Sequence, residues 1–127
     1  MTTSLLEALQ PVLNTLAAGG AFYATNPTQP QPTDANGYPL PYIIYLDIVS
    51  VDNVSLQGAS NVQTTRIQVD IFAPYPLTTQ SIRAACDSAL YTAFQAVPLS
   101  SRGEYEDTVK LYRVIREYSI AYDESAT

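Results

Sequence analysis

A chain of 127 residues, 46% hydrophobic and 14% charged, has the length and make-up of one globular domain. Its net charge of −6 and pI near 4.2 exclude a general affinity for phosphate backbones or anionic membranes, which need clustered Lys and Arg. With no histidine and the single Cys86, Ser–His and Cys–His nucleophile pairs and intrachain thiolate metal sites are excluded as well.

The chain opens with SLLEALQPVLNTLAAGG, where Leu5, Leu6, Leu9, Val12, Leu13 and Leu16 recur at helical spacing. Ser4 and Glu7 form a capping box, and Gly19 or Gly20 can take the left-handed stop. Pro11 lacks an N–H and crowds the preceding turn, which predicts a kink or two short helices. Ala21–Thr25 reads as a short strand. Asn26 to Pro41 holds five of the nine prolines and reads as an extended surface loop or an arm reaching a neighbouring subunit.

Tyr42–Val51 is β-branched and aromatic, apolar on both faces, and reads as a central strand. Asp52–Asn61 has turn composition, and a strand over about 62–72 follows, so an antiparallel hairpin is expected. In that strand Ile67, Val69 and Ile71 alternate with Arg66, Gln68 and Asp70. The apolar row belongs to a core; the polar row faces either water or a partner. Pro74 and Pro76 stop the strand, and Thr78 or Thr79 can cap a second helix. Its apolar stripe is Ile82, Ala85, Cys86, Ala89, Leu90, Ala93, Phe94 and Val97, with Gln80, Arg83, Asp87, Ser88 and Thr92 opposite. Cys86 reads as a buried small hydrophobe.

After Pro98, LSSRGEYED reads as a polar connection with a short strand at Glu104–Glu106. Val109–Tyr122 is the last strand. Tyr112, Val114, Tyr118, Ile120 and Tyr122 share one face, interrupted by Arg116; Leu111, Arg113, Ile115 and Glu117 share the other. A bulge or an edge position would account for the Arg116 interruption. DESAT at the end reads as a loose acidic tail. The order is α-β-β-β-α-β in a single domain over 1–127. The expected fold is α+β: an antiparallel sheet of four or slightly more strands, with two main helices on one face.

Ten tyrosines and no tryptophan suit half-buried contact surfaces, where rings pack and hydroxyls stay wet. The chain has no apolar run of membrane-spanning length and no basic-then-apolar leader, and with a single thiol an intracellular, reducing place of synthesis is expected. Acids could serve a hydrolase only as a pair facing across a cleft. Asp47 and Asp70, on neighbouring strands, are the pair that could meet; sheet-surface acids are the competing reading. Glu104–Asp107 is too short for a calcium loop, and Gly19-Gly20 follows a helix, so it cradles no phosphate. No cofactor or metal site is expected, and the chain does not read as an enzyme.

Three segments carry a resemblance: PYIIYLDIVSVDNVSLQGASN, then TTRIQVDIFA running into an amphipathic helix, then LYRVIREYSIAY. With the leading Leu-rich helix and FYAT, the order over about 5–122 resembles the tail completion proteins of long-tailed bacteriophages, also called tail terminators or tail-to-head joining proteins. The Asn26–Pro41 segment is longer than is usual there. The resemblance implies a virion structural protein with no catalytic residues, assembled in the host cytoplasm. It implies a homo-oligomeric ring, typically of six subunits, at the neck end of the tail tube. The ring stops tube growth, meets the tail tube protein and the head connector, and lets DNA through without specific binding.

On that basis Arg66, Gln68, Asp70, Tyr112 and Arg116 are candidate subunit contacts. Pro30, Asp34, Asp52, Asn53 and Gly58 are candidate partner-contact loops. Asp47, Glu104, Glu106 and Asp107 are candidate lumen acids, whose repulsion would help DNA slide. Charge reversal at Arg66 or Asp70 is expected to spare the fold and impair assembly. The competing function is a small cytosolic ligand-binding or oligomeric interaction domain, with an acid-based hydrolase behind it.

Overall fold

The computed structural model describes residues 4–25, 33–55 and 58–123, with backbone alone at 51–55, 58–62 and 123. In chain order the elements are α1 (Leu5–Asn14), β1 (Ala21–Tyr23), β2 (Tyr42–Ser55), β3 (Gly58–Ala73), α2 (Pro76–Phe94), β4 (Val97–Glu106) and β5 (Leu111–Asp123). The strands form one sheet in the order β1-β2-β3-β5-β4. β1 runs parallel to β2, and the other neighbours are antiparallel. The fold is α+β as expected. The sheet, however, is five-stranded and mixed, and two strands follow α2.

Two further expectations are corrected. The polar connection after Pro98 is the ten-residue strand β4. Pro98 is tolerated there because β4 lies at the sheet margin, where a missing N–H is affordable. Asp52–Asn61 is not a loop over most of its length: β2 continues to Ser55 and β3 begins at Gly58, so the hairpin is a long arm. Asp52 and Asn53 thus lie on β2 and Gly58 opens β3, while Pro30 lies outside the described residues.

α1 starts as expected. Ser4 Oγ accepts from the Glu7 N–H, and the Glu7 carboxylate accepts from the Ser4 N–H. The helix is continuous through Pro11. Pro11 and Glu7 are both exposed, so the ring points outward and water can serve the freed Glu7 carbonyl. The helix ends at Thr15, before the glycines. Gly20 takes a φ of +89° on the way into β1. At Gly19 a Cβ would sit 2.6 Å from the Pro41 carbonyl oxygen, so a bare backbone is needed where the two segments meet.

α2 begins at Pro76, before either threonine, with Tyr75 preceding it and no side-chain cap. A Pro in the first turn needs none for its own missing N–H. The Thr79 hydroxyl instead donates to the Pro76 carbonyl at 2.6 Å and is buried. The helix closes on Gln95 at φ 54°, with the Gln95 and Ala96 N–H groups donating back to Tyr91 and Leu90 carbonyls.

Both helices cover one face of the sheet. Leu5, Leu9 and Leu13 of α1 and Ile82, Cys86 and Leu90 of α2 bury against Ile43, Tyr45, Ile67, Val69, Ile71, Val114, Tyr118 and Ile120. The apolar row Ile67, Val69 and Ile71 is core, as the alternation predicted. On the opposite, open face a smaller cluster of Tyr42, Phe72 and Leu111 gathers at one end of the strands, with Phe22 and Ile44 beside it. Truncating Leu9, fully buried, to Ala should cost about 2–5 kcal/mol in denaturant unfolding. Leu77→Ala, at a side chain 80% exposed, should stay within about 0.5 kcal/mol.

Candidate assembly interface

Directly paired residues of an antiparallel sheet share a face, so the register sorts the candidate residues. β3 pairs Arg66 with Ser119, Gln68 with Glu117 and Asp70 with Ile115 of β5. β4 pairs Ser100 with Glu117, Arg102 with Ile115 and Glu104 with Arg113. These residues form a polar band across the open face. Val69 opposes Arg116 and Ala73 opposes Tyr112, which puts Arg116 and Tyr112 on the helix face. The five candidate contacts are therefore split between the two faces.

The band is an ion network. Arg66 Nη2 lies 3.0 Å from Glu117 Oε1, and Ser100 Oγ donates to the other Glu117 oxygen at 2.9 Å. Gln68 Nε2 donates to Asp70 Oδ1 at 2.9 Å. Arg113 is the hub: Nη2 reaches Asp70 Oδ2 at 2.5 Å and Nη1 reaches Glu106 Oε1 at 2.8 Å. Arg102 pairs with Glu104 at 3.0 Å. The Arg113 guanidinium also lies 5.4 Å from the Phe72 ring centre, and its buried Nε has no hydrogen-bond partner among the described residues. The hydrogen bond from Arg113 holds the Glu106 carboxyl below its ordinary range, against a smaller push upward from burial. A shallow cleft of about 290 Å³ opens beside Arg113, walled by Tyr42, Ile44, Phe72 and Val109.

Asp70 is not the solvent-facing end of the polar row. Its side chain is 6% exposed and holds Arg113. Reversing its charge would set two guanidinium-like cations against each other in a poorly hydrated place, so the fold would not be spared as expected. Arg66, with a side chain 47% exposed, remains the clean probe.

On the helix face Arg116 interrupts an apolar row for a reason neither a bulge nor an edge supplies. β5 is internal, between β3 and β4, and pairs with β3 without a register shift. Arg116 meets Asp87 of α2: Nε and Nη2 donate to the two carboxylate oxygens at 3.0 and 2.9 Å. Tyr118 Oη adds a bond to Asp87 at 2.5 Å, and Arg83 bridges from one turn earlier in α2. Asp87 thus leaves the wet side of the helix and docks α2 to β5. Burial would raise its carboxyl, but the bonds from Arg116 and Tyr118 and the charges of Arg116 and Arg83 prevail and hold it below the ordinary range. Cys86 is fully buried, and burial, helped by the Asp87 charge, pushes its thiol up to about 12, which leaves an inert side chain.

The remaining candidates scatter. Asp47 opposes Ile67 while Asp70 opposes Ile44, so the two acids lie on opposite faces and cannot form a hydrolytic pair. Asp47 accepts from Tyr23 Oη at 2.6 Å. Asp34 organises a turn, its Oδ1 accepting from the Asn36 and Tyr38 N–H groups. Glu104 and Glu106 join the open-face network, and Asp107 lies in the turn between β4 and β5. Among the described residues no group of three Asp, Glu or Cys side chains is placed to hold a metal, and no helix is long and apolar enough to cross a membrane. Arg113, Glu117 and Asp87 were not singled out from the sequence. The first two were legible, because the alternation of β5 already set Arg113 and Glu117 on one face.

The model of the family described as tail completion protein gp17 matches residues 4–123. The chain belongs to that family. Membership makes it a structural protein of phage tails, from a family of structural rather than catalytic proteins. No curated protein matches the chain significantly. Among solved structures, a chain from the virion of a native gene transfer agent particle superposes with a TM-score of 0.56. The alignment is 19% identical and covers 87% of this chain and 83% of that one, a likeness of fold.

The docking of α2 by Asp87 gives a pH signature. The folded carboxyl lies below the ordinary 3.8, so its contribution is complete above that pH and is lost as pH falls through the folded value. Asp87→Asn should cost about 2 kcal/mol in urea unfolding at neutral pH. The variant should also lose less stability than the native protein as pH drops below 3.8. Equal acid slopes would remove Asp87 from the docking.

Proposed function

We propose that this tail completion protein forms a ring on the head-proximal end of the tail tube, ends tube polymerisation there and presents a surface to the head connector. The family match over nearly the whole chain carries the reading. The fold shared with a gene transfer agent virion chain agrees with it.

In this reading the open face of the sheet lines the hole through which DNA passes. Its polar groups are already paired within the chain: Arg66 with Glu117, Gln68 with Asp70, and Asp70 with Arg113. A surface whose guanidiniums are each held by a carboxylate offers little to phosphate, and DNA slides past it. Arg66, Gln68 and Asp70 then face the lumen rather than a neighbouring subunit. Glu104 and Glu106 share that face, whereas Asp47 does not.

Incubating the purified protein with tail tubes and imaging the ends by negative stain tests the placement: capped ends are expected, and bare ends defeat it. Arg66→Glu should leave capping intact, because the Arg66 guanidinium pairs with Glu117 of its own chain; lost capping would return the polar row to the subunit contact. Replacing Glu104 and Glu106 together with Gln takes the carboxylate from Arg102 and leaves Arg113 held by Asp70 alone, and should slow DNA passage, seen as reduced infectivity. Unchanged infectivity would sink the lumen assignment.

A further inference from the structure

Among the described residues the sheet has two bare margins. β4 forms one along all ten of its residues. At the other, β1 covers β2 at Ile43–Tyr45, so among the described residues Leu46–Ser55 is a second uncovered stretch, as long as β4. A strand left in this way presents a row of backbone N–H and C=O groups ready to pair with another strand.

The two margins fit each other. β2, β3, β5 and β4 alternate in direction across the sheet, so β4 and β2 run oppositely. Set beside β2 of a second copy, β4 continues an antiparallel sheet with the same face on each side. Each margin also carries exposed aliphatic side chains where a strand meant to stay in water favours charge: Val97 and Leu99 on β4, Ile48 and Val49 on β2. Leu99 and Ile48 are the extra residues at register shifts in their strands, which bend each margin locally.

We infer that β4 of one copy pairs with Leu46–Ser55 of the next, antiparallel, in a head-to-tail contact that repeats until it closes. The partner is a second copy because one chain supplies both halves of the joint, matched in length and direction. A contact between two different patches of one chain generates rings when the rotation closes. The inference rests on the ring reading above and names the surfaces that build it.

Complementation between blocked margins tests it. Val97→Lys with Leu99→Lys blocks β4, and Ile48→Lys with Val49→Lys blocks β2; all four side chains are exposed, so circular dichroism should show native folds. If either double variant unfolds, Leu99→Lys and Ile48→Lys singly take its place. Size is read by light scattering in solution and, on tail-tube ends, by negative stain. Native protein should form rings on the ends and each variant none. An equal mixture of the two variants should stop at dimers, because one margin of each remains usable. Rings from either variant overturn the pairing but leave the ring reading standing, as does a mixture that never dimerises. A native protein that forms no rings at all defeats the ring reading itself. A variant that loses tube binding yet still associates with native copies would assign its margin to the tube protein and also overturn the inference.

Discussion

The unbroken antiparallel pairing of β3 with β5, from Val62 opposite Asp123 to Ala73 opposite Tyr112, sets the plan of the molecule. Because no residue slips along it, the two strands keep one division between helix face and open face over their whole shared length. Ile67, Val69 and Ile71 meet Tyr118, Arg116 and Val114 under the helices, and Arg66, Gln68 and Asp70 meet Ser119, Glu117 and Ile115 on the other side. A slip of one residue would send Arg113 into the helix-covered core and Tyr118 into solvent. The outer strands tolerate irregularity: the shifts in the β2–β3 and β4–β5 pairings leave the β3–β5 register unbroken.

Charge is organised around the same pair. On one face Arg116 and Tyr118 clamp Asp87; on the other Arg113 gathers Asp70 and Glu106. The two arginines stand three positions apart on β5 and so project to opposite faces. Each is held by carboxylates that reach it from a different element, which makes β5 the electrostatic spine between helix layer and open face. Isolated surface pairs contribute little, but shared, half-buried ones fix geometry because breaking one strands a poorly hydrated charge.

Much of this was legible in the sequence, and the misses have physical causes. The α1 leucines, the capping box, the alternation of β3 and the two faces of β5 all follow from spacing, because a single buried face imposes a period. β4 was hidden since a marginal strand buries neither face: Pro98, Ser100, Ser101 and Gly103 read as loop because no core demands alternation there. The hairpin arm was hidden likewise: Asp52–Asn61 has turn composition, yet Asp52 pairs with Gln63, Val54 with Ala59 and Ser55 with Gly58. Asp87 appeared to belong to the wet side of α2, since helical spacing shows which side a residue occupies but not that a cation waits across the gap. The open-face network needed the pairing of β3 with β5 and β4, which no single strand reveals.

The burial of Cys86 has one more consequence. The chain's sole thiol is sealed between α2 and the sheet, beneath the Asp87–Arg116 clamp. A thiol reagent can reach it after α2 lifts, so the rate of modification reports the free energy of that local opening instead of surface exposure. The protein thus carries its own reporter on the seating of α2 against the sheet.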